Sequence, residues 1–303
     1  MPDMSQQDTR PPICDYEGSN YRTDFWDGQG RDYEDRVERI ALRKLLPPTG
    51  RRLLEIGAGF GRLTEEYRGY EQVVVLDYSR TQLKQAQEHL GRSDRYIYVA
   101  ADVYQLPFKA GAFDAATMIR VLHHIANAET ALAEIRRVLT PGATFILEHA
   151  SKRHLKSMVR YWTGKQNWNP FDLAPVEFVE LNFDFHPQHI WNAMHESRLE
   201  VKRRLPVSLL RMPALKRRVP VGLLAGIDGL FQETGLLVTP SVFVQAQARG
   251  ATDDNTQTED LFACPHCGGT LIVDDSQQLV CENEGLRWQV RDGIYDFKAP
   301  LND

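Results

Sequence analysis

Between residues 52 and 148 five short apolar runs alternate with helical segments, and the intervening glycines and acidic residues fall at the carboxyl ends of the runs. The runs are residues 52–56, 73–76, 96–99, 113–119 and 143–148. Residues 34–46 place Val37, Ile40, Ala41 and Leu45 on one helical face, and residues 127–139 do the same with Ala131, Leu132, Ile135 and Val138. A helical segment is expected from Arg62, another capped by Ser79 with Leu83, Ala86 and Leu90 inward, and a turn at Thr140-Pro141-Gly142. Strand–helix alternation at this rhythm gives a mostly parallel sheet covered on both faces, since parallel neighbours need a crossover and the crossover covers a face. In such sheets the ligand lies beyond the carboxyl ends of the strands, where the strand order reverses.

The first run opens onto glycines at 57, 59 and 61, whereas a dinucleotide fingerprint would put its third glycine at position 62, which is Arg62. The loop is suited to a ligand that approaches the backbone closely. Asp77 follows Gly57 by 20 residues at the end of the second run, where a carboxylate can accept both hydroxyls of a ribose. Asp102 closes the third run in the same way and can receive an exocyclic amine.

Leu54-Glu55-Ile56-Gly57-Ala58-Gly59-Phe60-Gly61, Leu76-Asp77-Tyr78-Ser79, Ala101-Asp102-Val103, Val121-Leu122-His123-His124 and Arg137-Val138-Leu139-Thr140-Pro141-Gly142 resemble the successive motifs of class I S-adenosylmethionine-dependent methyltransferases. The flavour is that of the ubiquinone/menaquinone-biosynthesis group. The resemblance covers residues 35–150 and continues more weakly to 248. It implies a Rossmann-like, seven-stranded α/β sheet with S-adenosylmethionine folded over the first loop. Carried over by position, Glu55, Gly57, Ala58 and Gly59 line the methionine end, and Asp77, with Tyr78 beside it, holds the ribose. Asp102 meets the adenine amine, Val103 offers its backbone N–H, and Arg120 backs the sulfonium. Tyr33 is expected to close over the methionine carboxylate. His123 and His124 stand at the mouth of the site as candidates for a catalytic base, needed only where the acceptor must lose a proton.

Residues 151–220 carry 13 Lys+Arg against 6 Asp+Glu in a chain whose net charge is -5. Within them, eight aromatic residues lie between Tyr161 and Trp191. A helical, aromatic cap insert over residues 151–190 follows, with Trp162, Trp168, Phe171 and His186 as candidate walls of an acceptor pocket. The basic residues read most simply as a solvated face; RNA or an anionic membrane surface are the sharper alternatives. The apolar stretch 209–231 is interrupted by prolines and glycines, which disfavours a membrane-surface helix.

Residues 249–260 form a polar linker, after which Cys264-Pro265-His266-Cys267-Gly268-Gly269 reads as a zinc knuckle. Cys281 follows after 13 intervening residues, and the position where a ribbon has its fourth cysteine holds Glu284. Glu284, His266 or Cys14 completes the set, and any metal there is a structural zinc. Residues 286–297 resemble the close of the zinc-ribbon family that activates tRNA, rRNA and protein methyltransferases.

The expected organisation is an N-terminal segment, 1–33, closing over the cofactor, a methyltransferase domain at 34–248, the linker, and a small β zinc-ribbon-like domain at 261–303. The expected activity is methyl transfer from S-adenosylmethionine to a small aromatic or hydrophobic acceptor by in-line displacement, in the cytoplasm. The competing readings are an RNA methyltransferase that grips RNA with ribbon and basic patch, and a cofactor-binding scaffold whose ribbon recruits a protein partner. No run approaches the roughly 18 uncharged apolar residues of a membrane span, and the polar start shows no signal pattern.

Overall fold

The apolar runs become strands whose successive residues serve opposite faces of one sheet. Leu53, Val73 and Val75 belong to the core on one side, and Leu54, Val74 and Leu76 to the core on the other. The structure, a computed structural model, describes residues 11–250 and 260–301. Its central strands are β1 (Gly50–Ile56), β2 (Tyr70–Asp77), β3 (Tyr96–Ala100), β4 (Phe113–Met118) and β5 (Leu139–Ala150). A separate hairpin, β6 (Val176–Val179) and β7 (Asn182–Asp184), lies in the insert. The strands β8 (Leu199–Val207) and β9 (Ser241–Ala248) complete one end of the sheet. At the other end come β10 (Leu271–Val273), β11 (Leu279–Cys281), β12 (Arg287–Arg291) and β13 (Ile294–Asp296).

The order β3-β2-β1-β4-β5-β9-β8 is the expected seven-stranded core, parallel from β3 to β5 and antiparallel at β9 and β8. The chain moves outward from β1 to β3 and then returns to β4 on the other side, so the strand order reverses between β1 and β4. That reversal leaves a crevice at their carboxyl ends.

Helices cover both faces. The chain begins with α1 (Tyr21–Phe25), and α2 (Asp32–Leu45) and α3 (Arg80–Leu90) feed one core; α4 (Ala128–Val138) feeds the other. The cap begins with α5 (Leu155–Trp162), and α6 (Pro187–Glu196) packs beside α4. A short α7 (Pro213–Lys216) precedes α8 (Val221–Phe231). The glycine-broken stretch thus forms a helix, because Gly222 and Gly229 face Arg36 and Ile40 and let α8 lie against α2.

Two local expectations are corrected. The segment after Arg62 holds only a short 3₁₀ turn, Thr64–Tyr67, because Thr64 and Tyr67 turn inward to bond Glu55 and Thr117. Thr140–Gly142 is not a turn but part of β5, whose pairing with β4 slips between Phe113 and Ala115.

The C-terminal unit does not hang from its linker. Its last strand, β13, adds in parallel to β3 through Ile294↔Tyr98, Tyr295↔Val99 and Asp296↔Ala100, giving an 11-stranded sheet. Leu279, Cys281, Trp288 and Phe297 join the same apolar core as Phe108, Phe113 and Val138. A unit of about 40 residues buries too little surface to be stable alone, and here it shares the larger core. Of the expected linker, residues 251–259 lie outside the described residues, as do residues 1–10 of the N-terminal segment. No helix among the described residues is long and apolar enough to cross a membrane.

Candidate active site

The crevice beyond β1 is built by backbone turns. Gly57, Gly59 and Gly61 have φ of 67°, 55° and 79°, a region that side chains resist. At Gly57 a Cβ would also stand 2.1 Å from Val121 Cγ2, so this position needs glycine twice over. The Gly59 N–H donates to Asp77 Oδ2 at 2.8 Å and the Ser79 N–H to Oδ1 at 2.9 Å, which fixes the carboxylate at the end of β2. Burial pushes the Asp77 carboxyl up to about 6. The Tyr104 N–H holds Asp102 at 2.8 Å.

Gly57, Gly59, Asp77, Tyr78, Asp102 and Val103 all line one cleft. A strap of residues 12–21 lies over it: Ile13 bridges to Ile125, and Pro12, Cys14, Tyr16 and Tyr21 form part of the wall. Cys14 is therefore a cleft residue rather than a ligand of the C-terminal cysteines.

Beneath the loop the cleft continues along Glu55, Ala58, Phe60, Arg62 and Trp26. Glu55 is buried, accepts from Thr64 Oγ1 at 2.5 Å, and is pushed up to about 7 by desolvation. Arg62 does not crowd the loop; it turns away to Asp35 (2.5 Å) and the fully buried Glu38 (2.6 Å), with its guanidinium 3.8 Å from the Trp26 ring centre. Arg120 shares Glu38 from the other side at 2.5 Å. Burial opposes its charge, but Glu38 and Glu148 hold the guanidinium firmly protonated. Arg120 has φ 60°, strained for a non-glycine residue, and its N–H is anchored on Glu148 at 2.9 Å.

Past Arg120 the cleft opens into a cavity of about 550 Å³. Its walls are Tyr16, Tyr21, Phe25, Phe178 and Phe183, and its polar groups are Arg31, Arg120, His123, His124, Asn182, Asp184 and Arg211. His123 faces it, neutral, because burial and then the charges of His124, Arg120 and Arg211 push its imidazole down to about 3. Burial pushes the Asp184 carboxyl up to about 6.

Three expectations about individual residues are corrected here. Tyr33 does not reach the cleft: it is fully buried on α2, donates to Asp228 Oδ2 at 2.7 Å and accepts from the Leu210 N–H. The N-terminal tyrosines that lie against the cleft are Tyr16 and Tyr21. His124 has both ring nitrogens engaged. Its Nδ1 faces the Leu181 carbonyl at 2.9 Å, so Nδ1 carries the proton, and Nε2 accepts from Tyr16 Oη at 3.2 Å. It joins the strap to the β6–β7 hairpin and has no free nitrogen for proton abstraction. Finally, Trp162, Trp168, Phe171 and His186 do not line the cavity. Trp162 is 68% exposed and stacks on Phe171, His186 caps α6, and Trp168 packs on Phe178 from behind.

In the C-terminal unit, Cys264, Cys267, Cys281 and Glu284 bring their ligand atoms within 4.8 Å of one another. The Cys267 and Cys281 sulfurs are 3.4 Å apart, too far for a disulfide at about 2.05 Å. Tetrahedral zinc with Zn–S near 2.3 Å sets its ligands about 3.8 Å apart, so this donor set fits a structural zinc. His266 is not a member of the set but holds Glu284 at 2.9 Å, orienting the carboxylate.

Comparison with known proteins agrees with this geometry. Residues 54–147 match a family described as a methyltransferase domain, and residues 258–293 one described as Trm112p-like protein. A ubiquinone/menaquinone biosynthesis C-methyltransferase of Pseudomonas savastanoi pv. phaseolicola is 34% identical over 40% of this chain and 50% of its own length. An O-methyltransferase of Penicillium expansum is 29% identical over 48% of this chain and 57% of its own. The chain thus spans about half the length of the curated relatives it matches. Among solved structures, a chain from a complex between the Haloferax volcanii Trm112 methyltransferase activator and a methyltransferase aligns with TM-score 0.54 and 17% identity, covering 76% of this chain and 96% of that one. An S-adenosylmethionine-dependent methyltransferase from Mesorhizobium loti aligns with TM-score 0.51 and 21% identity, covering 70% and 97%. Residues 54–147 therefore carry a methyltransferase domain, with a Trm112p-like unit built onto the edge of its sheet.

Proposed function

We propose that this protein transfers the methyl group of S-adenosylmethionine, in the cytoplasm, to a small acceptor with an aromatic or otherwise apolar body. The observation that carries the reading is the continuity of the glycine-lined cleft with the aromatic cavity past Arg120. In this reading Asp77 receives the ribose hydroxyls, Asp102 and Val103 the adenine, and the Glu55–Gly59 turn the methionine end. The sulfonium then faces the cavity, and in-line placement of the acceptor does most of the catalytic work. Asp184 suits a general base better than His123, since a base works best when its pKa lies near the operating pH. His123 orients the acceptor as a neutral imidazole.

The C-terminal unit acts, in the same reading, as a built-in brace rather than a nucleic-acid grip. It touches the adenine side of the cleft: the Phe297 N–H donates to the Ala100 carbonyl at 2.7 Å, and Asp296 pairs with Arg80 at 3.3 Å. Lys298 Nζ lies 5.2 Å from the Tyr78 ring centre and 3.7 Å from Glu17. Within the basic stretch, Lys202, Arg203 and Lys216 are paired with Glu200, Glu233 and Glu34, which lowers the charge that this part of the surface offers to RNA. Calorimetric titration with S-adenosylhomocysteine tests the reading: saturable one-to-one binding supports it, and its absence removes it.

A further inference from the structure

Among the guanidiniums around the acceptor cavity, two differ from the rest. Arg120 and Arg62 are neutralised by Glu38 and Asp35. Arg31, at the start of α2 and half-buried, makes no ion pair or side-chain hydrogen bond among the described residues; the rings of Phe25 and Trp26 lie 5.6 Å from it. Burial and the neighbouring charges of Arg120 and Arg211 disfavour its charged form, and Tyr21 and Glu34 offset them only in part. Arg211, on the rim, is 3.5 Å from Glu34, but both oxygens of that carboxylate are already taken by Lys216 at 2.8 Å. Against these cations the cavity wall offers one carboxylate, Asp184. Arg31 is a half-buried cation without an ion pair, and Arg211 is an exposed one that shares its carboxylate with Lys216; two such guanidiniums facing one cavity are complementary to an anion that the chain does not itself supply. The planar fork of a guanidinium matches a carboxylate or phosphate in particular.

We propose that the acceptor carries one anionic group, a carboxylate or a phosphate, which docks between Arg31 and Arg211 while its apolar body lies against Phe178 and Phe183. This rests on the methyl-transfer reading and narrows its substrate class. Arg31 lines the acceptor cavity and not the part of the cleft beside Glu55 and Ala58, which separates this role from holding the cofactor's own carboxylate.

The test is titration of the full chain, loaded with S-adenosylhomocysteine, with three probes of one shape: 2-naphthoate, 2-naphthyl phosphate and neutral 2-naphthamide. At least one anionic probe is expected to bind tenfold or more tighter than the amide. Arg31→Gln and Arg211→Gln should each erase most of that preference while leaving S-adenosylhomocysteine affinity within about twofold and the melting temperature no lower. The relative affinity of carboxylate and phosphate identifies the headgroup. Equal binding of the three probes, no binding of any, or a preference that survives both substitutions overturns the proposal. So does a tenfold loss of S-adenosylhomocysteine affinity in Arg31→Gln, which would assign the guanidinium to the cofactor. Failure of the unsubstituted chain to bind S-adenosylhomocysteine instead counts against the methyl-transfer reading, and the same probes titrated into the unloaded protein still decide the anion site.

Discussion

The two halves of the crevice are made in different ways. The cofactor half is made of backbone: three left-handed glycines, carboxylates pinned by N–H groups, and strand ends fixed by parallel pairing. The acceptor half is made of side chains from segments far apart in the chain, namely Arg31 before α2, His123 after β4, the β6–β7 hairpin and Arg211 before α7. The first half is rigid because a sheet carries it. The second rests on a two-stranded hairpin and a strap joined through His124. In the proposed reading, a common ligand is held by the fold itself, while a particular acceptor is selected by elements that can change without disturbing the sheet.

Substitutions should separate the two halves. Asp77→Ala removes the proposed acceptor of two ribose hydroxyls, each such bond to a charged group being worth about 1.5–3 kcal/mol. It is expected to cost S-adenosylhomocysteine at least ~100-fold in affinity by calorimetry. Asp184→Asn should leave that affinity unchanged yet slow turnover of a proton-bearing acceptor by ~100-fold or more, the usual worth of a positioned base. His123→Gln should slow it only a few-fold and leave the pH profile in place; a loss as large as that of Asp184→Asn would reverse the assignment.

Gly57→Ala meets both Val121 and a positive φ, and should lower stability by about 1–3 kcal/mol in a denaturant titration. Adding Val121→Ala should recover the steric part but not the backbone part.

The raised carboxyl of Asp77 gives a pH test with a definite sign. Below about 6 it is protonated in the free protein and accepts poorly, so its titration should lower S-adenosylhomocysteine affinity by about tenfold per pH unit there, beyond any change from Glu55, which titrates nearer 7. The same group makes the free protein less stable as pH rises from the ordinary carboxylate value near 3.9 to about 6, because ionisation is favoured in the unfolded chain. Asp77→Asn should remove the part of the slope below about 6.

Removing metal from the Cys264, Cys267, Cys281 and Glu284 cluster should have the smallest effect on the cleft. Chelation, or Cys267→Ser, is expected to loosen β13 from β3 and weaken cofactor binding by a few-fold, read by calorimetry beside zinc content by mass spectrometry. An unchanged affinity would mean that the unit braces nothing.

The same division explains what the sequence could tell. That Gly57, Gly59, Asp77 and Asp102 meet at one cleft is legible because backbone geometry demands particular residue types at strand ends, and such demands leave a spaced pattern. The three cysteines are legible for the same reason, since a tetrahedral site constrains spacing; spacing alone does not choose the fourth donor among Glu284, His266 and Cys14, and it is the structure that brings Glu284 to the cluster. Tyr33 was misjudged because its place before an amphipathic helix says nothing of which way the ring turns; Asp228, on a helix 195 positions later, draws it into the core. Arg31, Phe183 and Asp184 carry no local pattern at all, since they meet only through tertiary contact. Abundant aromatics marked the right insert but not the right rings: Trp162 and Phe171 stack on each other outside, and Phe178 and Phe183 line the cavity.

The most direct test of the account is amide hydrogen exchange of the full chain with and without S-adenosylhomocysteine. Protection is predicted at residues 57–61, at 77–79, at 101–104 and along the strap 12–21, with β8 and β9 unchanged. Protection confined to other segments, or none in the glycine turn, would contradict the placement of the cofactor.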